Sequence, residues 1–328
     1  MSPGHPRSVF AAELLLLIGF TIVALQARAL LRGRASLLQA AHDDVLAATR
    51  AAAAELDRQQ RECMAVVRAV AADLDAGRLS LAGVERRLAQ EVAKQPHVFG
   101  LVVVFAASGG AVLIPANIRR ERRRVTVRLD HGADDVRRTD WYRAVVAHPE
   151  PGWLGPFRGP FSGHYIALYC EPWSPPARRS ARGHVCASLS LHDVEAQRQS
   201  LPSGRFGYSW VLSHEGRSLA HPKVDWVRAA KTPEQLADET GYARLAQLSA
   251  RIAAGAAGTL LARDPLTGRR AEMIHEPIAA SGGAMVAVIL RDDVLAAEPA
   301  LRRLQIEIAA AVLATFTAVI AVLLGGRR

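Results

Sequence analysis

Apolar residues along this chain repeat with different periods in different stretches, and each period predicts a different kind of element. From Val9 to Leu25 the run VFAAELLLLIGFTIVAL is charged only at Glu13, and from Ile308 to Leu324 the run IAAAVLATFTAVIAVLL carries no charge. A helix needs about 20 such residues to cross the hydrocarbon core, and neither run has the polar face of a helix on a globular surface. Residues 9–27 and 304–324 are therefore expected to span a membrane. Arg7 before the first run and Ala27-Arg28-Ala29 after it also fit a cleaved leader, but the unbroken helical continuation favours an uncleaved anchor.

Between the spans the period becomes that of an amphipathic helix. Leu38, Ala41, Val45, Ala48, Ala52, Leu56, Cys63, Val67, Val70 and Leu74 recur at helical spacing in an Ala-rich background, which predicts a long stalk helix over 28–76. Its thin apolar stripe suits either packing on its own domain or the seam of a parallel homodimer. Gly77 interrupts it, and a second helix opens at Ser80 and closes before Pro96. Strands follow at Val98–Phe105 and Ala111–Ile114 across the Ser108-Gly109-Gly110 turn, then a long loop over 115–136. Thr139 or Asp140 is expected to cap a helix starting at Trp141, which ends at Pro149–Gly152.

Strands at His164–Tyr169 and His184–Leu191 flank a Pro- and Arg-rich turn, and Leu201-Pro202-Ser203-Gly204 marks a boundary. A smaller unit repeats the plan: strands Tyr208–Ser213 and Ser218–Ala220, a helical insertion over 233–254, and strand-like runs near 258–263, 270–278 and 284–290. A helix from Asp292, kinked at Pro299, leads into the second span. The fold class is α+β, with two antiparallel-sheet modules (77–203 and 204–303) on a long N-terminal helix between two transmembrane helices, and short ends at 1–8 and 325–328.

Composition narrows the function. The net charge of +10 would suit an anionic partner, but it is carried almost wholly by Arg, with Lys only at Lys94, Lys223 and Lys231, and is scattered rather than interleaved with aromatics. Nucleic acid is therefore not an expected partner. The densest cluster, Arg119-Arg120-Glu121-Arg122-Arg123-Arg124, precedes the alternating Val125, Val127 and Leu129 and reads as a solvated loop leading into a strand. Cys63, Cys170 and Cys186 are an odd set; a bridge between Cys170 and Cys186 requires their strands to pair in register across the Pro175-Pro176 turn. Arg7 stands before the first span and Arg28, Arg32 and Arg34 after it, a balance that disfavours export. Long loops translocate regardless of charge, so residues 28–303 are placed outside the inner membrane and both ends in the cytoplasm.

No catalytic pattern emerges. His275-Glu276-Pro277 has no recognised zinc spacing and reads as a strand edge, and adjacent Ser213 and His214 lack a nucleophile elbow. No enzyme activity, metal or cofactor is expected. Aromatic and Arg residues gather instead from Asp140 to Ser188, as the wall of a small-molecule pocket.

These residues carry a resemblance. Asp140-Trp141-Tyr142, Trp153 with Pro156-Phe157, Tyr169 with Pro172, and Gly183 leading to Leu191 and Asp193 resemble the double Cache sensor domains of bacterial receptors. The second unit continues the series with Gly207-Tyr208, Val211-Leu212-Ser213, Glu215-Gly216, His221-Pro222, Gly258, Thr267-Gly268 and Glu276-Pro277. The likeness runs from about Leu37 to Ala300 and is nearest to sensors that precede PPM-type (SpoIIE-like) serine phosphatases. It implies two PAS-like modules, with a small ligand bound in the membrane-distal one by Trp141, Tyr142, Phe157, Arg158, His164, Tyr169, Ser188 and Arg138. Where such sensors carry Pro-Tyr-Phe-Asp, this chain has Pro156-Phe157-Arg158-Gly159, and Ser188 stands where an aspartate is usual. A desolvated ammonium group needs a paired anion, so a neutral or anionic organic ligand is expected in place of an amine. Few residues follow the second span, so the signal is expected to pass to a separate cytoplasmic or membrane partner, or the chain to be a receptor without its output domain. The alternative is a structural or interaction protein with a decayed pocket.

Overall fold

The structure, a computed structural model, describes residues 5–106, 112–113, 115–120, 123–128, 137–159, 164–174, 183–199 and 206–325. The turns expected at 108–110 and at Pro175-Pro176 and the boundary at 201–204 lie outside the described residues. Two compact units are formed, one by Met1–Asp44 with Ile289–Arg328 and the other by Val45–Val288.

In the first unit the two apolar runs are helical. Helix α1 spans His5–Asp75, taking up the first run and the stalk without a break. The second run belongs to a helix over Pro299–Gly325. Both are long and apolar enough to cross a membrane. They meet where Gly19 faces the side chain of Thr315, leaving no room for a Cβ, the close approach that small residues permit between membrane helices. Phe10, Leu17, Phe20, Leu313 and Phe316 are exposed, as lipid-facing side chains are, and the Thr21 and Thr315 hydroxyls donate to carbonyls one turn back, which satisfies them in an apolar surrounding.

The second unit is built on residues 45–75 of α1. After α2 (Leu81–Lys94) come β1 (Gly100–Ala106), β2 (Val112–Leu113), β3 (Pro115–Arg120), β4 (Arg123–Arg128), α3 (Asp140–Ala147), β5 (Gly152–Arg158), β6 (Tyr165–Trp173), β7 (Gly183–Ser190) and α4 (Leu191–Gln199). These strands make an antiparallel sheet in the order β4-β3-β1-β7-β6-β5, with β2 beside β1. Successive residues point to opposite faces. Leu101, Val103, Tyr169, Val185 and Ala187 pack with Cys63, Val67, Val70 and Leu74 of α1 and Val84, Leu88 and Val92 of α2. On the other face Val102, Val104, Ile166, Leu168, Cys170 and Cys186 pack with Trp141 and Val145 of α3.

A second sheet follows: β8 (Gly207–Leu212), β9 (Ser218–Ala220), α5 (Val224–Arg228), α6 (Pro233–Thr240), a 3-10 turn (Ala243–Leu245), α7 (Ala246–Ala253), β10 (Gly258–Arg263), β11 (Arg270–Ile278) and β12 (Gly283–Leu290), then α8 (Arg291–Ala296) and α9 (Pro299–Gly325). Its order is β10-β11-β12-β8-β9. Ala53 and Leu56 of α1 join Ala167, Leu189, Val194, Val211, Ala220, Ile278 and Met285 in one cluster that ties the two sheets together. Asp57 accepts from the Ala280 amide at 2.7 Å and Arg50 pairs with Glu276 at 2.9 Å. Thr232 and Gln235 form a reciprocal capping box at the start of α6.

Several expectations need correction. The long loop over 115–136 is in part a hairpin, with Ile118 opposite Val125 and Arg120 opposite Arg123. Of the Arg cluster, Arg119 and Arg120 are thus on β3 and Arg123 and Arg124 on β4, paired strand residues rather than loop. Thr139 makes no side-chain capping bond, and Asp140 pairs with Arg143 at 2.7 Å. Pro299 starts a new helix instead of kinking one, because α8 already ends at Ala296, as suits a residue without an N–H at a helix's first position. His275 lies on β11, which has β10 and β12 on its two sides, so it is not at a sheet edge.

Cys170 and Cys186 are opposite one another in the β6–β7 ladder and form a disulfide, with Cα atoms 4.1 Å apart. Cys63 is free and buried, its thiol pushed up to about 12 by burial and then by Glu62, so it is unreactive while the domain is folded. Closing a loop of 16 residues contributes roughly 3 kcal/mol. The double substitution Cys170→Ser/Cys186→Ser should lose about that much in denaturant unfolding, and the wild-type protein unfolded without reductant should titrate one thiol. Three titratable thiols would show that the bridge does not form.

Candidate ligand-binding site

The site is organised by β5, at one end of the first sheet. Trp153 pairs with Tyr169 and Leu154 with Leu168; the register then shifts, and Phe157 pairs with Ile166. The bulge lies at Gly155-Pro156, a cis peptide, where Gly155 has φ +126° and a Cβ would stand 3.1 Å from the Ile166 carbonyl oxygen. Only glycine takes that conformation without strain. The extra residue turns Leu154 and Phe157 both toward the Trp141 side, while Trp153 packs with the α1 cluster.

A cavity of about 530 Å³ opens along this edge. Its walls are Gln60, Met64 and Arg68 of α1, Ala144 of α3 with His148 just beyond it, Trp153 to Phe157 of β5, Ala167 and Tyr169 of β6, Ser213, His214, Glu215, Arg217 and Leu219 around the β8–β9 turn, and Ala280 and Ser281 of the β11–β12 turn. Tyr169 donates its hydroxyl to Glu171 at 2.7 Å, and the Arg68 guanidinium lies 5.7 Å from its ring centroid and 3.6 Å from Glu171. Burial, and then the bond to Glu171, push the Tyr169 hydroxyl up to about 12, so it stays a neutral donor at physiological pH. Arg217 pairs with Glu215 at 2.5 Å. The Trp153 and Tyr169 rings are 5.6 Å apart. Gln60 Oε1 and Trp153 Nε1 are buried in the wall without a hydrogen-bond partner, a state that usually marks a place for water or ligand.

The sequence-predicted residues divide between the two faces of the sheet. Phe157 and Tyr169 line the cavity. Trp141 is buried on the opposite face, edge-on to Tyr142 at 6.0 Å, and Ser188 on that face donates to the Gly100 carbonyl at 3.2 Å. Arg138, Arg158 and His164 are exposed, with His164 6.4 Å from the Phe99 ring and 5.7 Å from that of His192. Sequence reasoning passed over Gln60, Met64 and Arg68. Their spacing of four residues along α1, just beside the apolar stripe, is the signal that marks them as a second inward-facing row.

Among the described residues no group of His, Cys, Asp and Glu is arranged to hold a metal ion. His221 illustrates a buried histidine with a packing role. Its ring sits 5.0, 5.1 and 4.4 Å from those of Tyr208, Trp210 and Trp226, and its Nδ1 accepts from the Lys223 amide at 2.9 Å. Burial, and then the charge of Arg198, hold its pKa near 3.

No family model and no curated protein matches the chain. Solved structures do share its fold. The periplasmic sensory domain of the Campylobacter jejuni chemoreceptor Tlp1 has a TM-score of 0.63 at 9% identity, covering 78% of this chain and 97% of that one. The extracellular domain assigned to the histidine kinase mmHK1S-Z3 has a TM-score of 0.60 at 21% identity, covering 78% and 96%. The ligand-binding domain of the Pseudomonas aeruginosa amino acid chemoreceptor PctB, in complex with L-Gln, has a TM-score of 0.54 at 18% identity, covering 77% and 92%. The chain thus has the fold of extracellular, Cache-type sensor domains of histidine kinases and chemoreceptors, with two apolar helices flanking it.

The folded His221 binds its proton far more weakly than the ordinary value of 6.5, so the unfolded chain takes up the extra proton between the two. The stability it contributes is complete above about pH 6.5 and is lost as pH falls toward 3, by at most about 1.4 kcal/mol per unit. His221→Gln, which keeps an acceptor for Lys223, should flatten denaturant-measured stability over that window. An unchanged slope would mean that His221 is charged in the fold.

Proposed function

We propose that this protein is a two-pass membrane receptor whose residues 28–303, outside the bacterial inner membrane, bind a small molecule and pass a conformational change to the membrane helices. The observation that carries the reading is the likeness to sensor domains over nearly their whole length, in a chain with an apolar helix at each end. The Cys170–Cys186 bridge supports an oxidising compartment. In this reading 77–203 is the membrane-distal module and 204–303 the proximal one, and the chain binds a ligand without catalysing a reaction. Of the two uses the stalk stripe allowed, Leu56, Val67, Val70 and Leu74 take packing on their own domain rather than a dimer seam, and the ordered residue series supports kinship with sensors that precede PPM-type phosphatases.

The ligand meets the α3 side of the first sheet, with Trp141, Tyr142 and Ser188 as the floor, Arg138, Arg158 and His164 at the solvent side, and Phe157 at the β5 position, while Tyr169 faces α1 on the other side of the sheet. Tyr142 is half-buried beside Trp141, an amphipathic ring whose hydroxyl can meet a ligand. PctB was solved with L-Gln; here Gly159 and Ser188 stand where acidic residues are expected for an ammonium group, and Arg158 lies beside Gly159, which points to a neutral or anionic ligand. A ligand transmits a signal only by binding one arrangement of the receptor more tightly than another.

The detergent-solubilised full-length protein should show raised melting temperatures with organic acids or neutral metabolites, and Tyr142→Ala should reduce the shift. A response to amines alone would overturn the ligand class. A folded protein with no response across a broad library would favour the structural, non-sensing reading.

A further inference from the structure

The cavity beside β5 is walled by more than the first sheet. Arg68 and Met64 come from α1, Trp153 and Phe157 from β5, and Arg217 and Leu219 from the β8–β9 region of the second sheet. Its volume of about 530 Å³ lies within the range of roughly 300–1,000 Å³ typical of small-ligand sites. We propose that it is a second ligand site, taking a small organic carboxylate with an apolar body.

The chemistry follows from the two arginines. Arg217 uses its Nε on Glu215 at 2.5 Å, and Arg68 approaches Glu171 through its Nε at 3.6 Å. A guanidinium carries five N–H donors in a planar fork, so each retains an edge for an incoming carboxylate, which it meets bidentately. Glu215 lines the cavity but already pairs with Arg217, and Glu171 behind it already accepts from Tyr169. An ammonium group would have to compete with these partners. His148 and His214 also line the cavity and add nitrogen donors suited to an anion. The apolar body finds Met64, Trp153, Phe157 and Leu219.

The position gives the site a consequence distinct from the ligand surface on the α3 side. An occupant touches α1, the first sheet and two turns of the second sheet at once, so it stabilises the arrangement in which these walls are close. Asp57, which accepts from the lining residue Ala280 at 2.7 Å, already joins α1 to the β11–β12 turn at the same place.

Titration calorimetry of the full-length protein in detergent micelles, with phenylacetate and the similarly sized phenethylamine, tests the proposal. Phenylacetate should bind; Arg68→Ala and Arg217→Ala should each weaken it by about tenfold or more, and Leu219→Trp, which fills the cavity, should abolish it. Tyr142→Ala should leave it unchanged, which separates this site from the sensory one. The proposal is overturned if phenylacetate does not bind, if phenethylamine binds as tightly, or if binding is lost in Tyr142→Ala and kept in the arginine variants.

Discussion

Residues 45–75 of α1 serve two sheets at once, and the rest of the second unit depends on that. Ala53 and Leu56 face the cluster that includes Val211, Ile278 and Met285, while Val67, Val70 and Leu74 face Leu101, Val103 and Val185. Each such Val, Leu, Ile or Met side chain contributes about 1.5–3 kcal/mol by burial, whereas an exposed pair such as Arg58 with Glu55 is screened by water and contributes little. Apolar packing therefore fixes where the sheets lie along the helix. The polar bonds of Asp57 and Arg50 set its register against β11 and the β11–β12 turn.

That constraint also explains how the ligand surfaces arise. A helix whose apolar stripe is used by both sheets leaves the adjoining row of Gln60, Met64 and Arg68 facing the gap between them. On the far side of the first sheet, α3 covers the strands through Trp141 and Val145. Both regions meet at β5, where the bulge at Gly155-Pro156 redirects Phe157. One irregular strand thus shapes two surfaces.

Helical elements were the most legible in the sequence, because their apolar period is repeated many times: both spans, the stalk and α2 could be read directly. Strand β5 was not, since its Gly152, Gly155 and Pro156 are the residues that normally end strands; here Gly152 pairs with Cys170, and Gly155 and Pro156 sit in the bulge of an end strand. The β3–β4 hairpin was hidden by its Arg residues, whose charge reads as loop although backbone pairing needs only the right torsions. The bridge between Cys170 and Cys186 depended on a register that no local pattern specifies. Of the pocket residues, the aromatics stood out by type and order. Arg68 and Arg217 did not, because a site assembled from a helix and a distant turn has no signature in sequence spacing.

The account rests on the sheet-bearing unit being displayed outside the membrane. Asp140 begins α3 with its side chain 89% exposed, so a cysteine placed there reports directly on the compartment. In intact cells Asp140→Cys should react with a membrane-impermeant maleimide. Labelling that appears only after the membrane is permeabilised would place the unit in the cytoplasm and contradict the receptor reading.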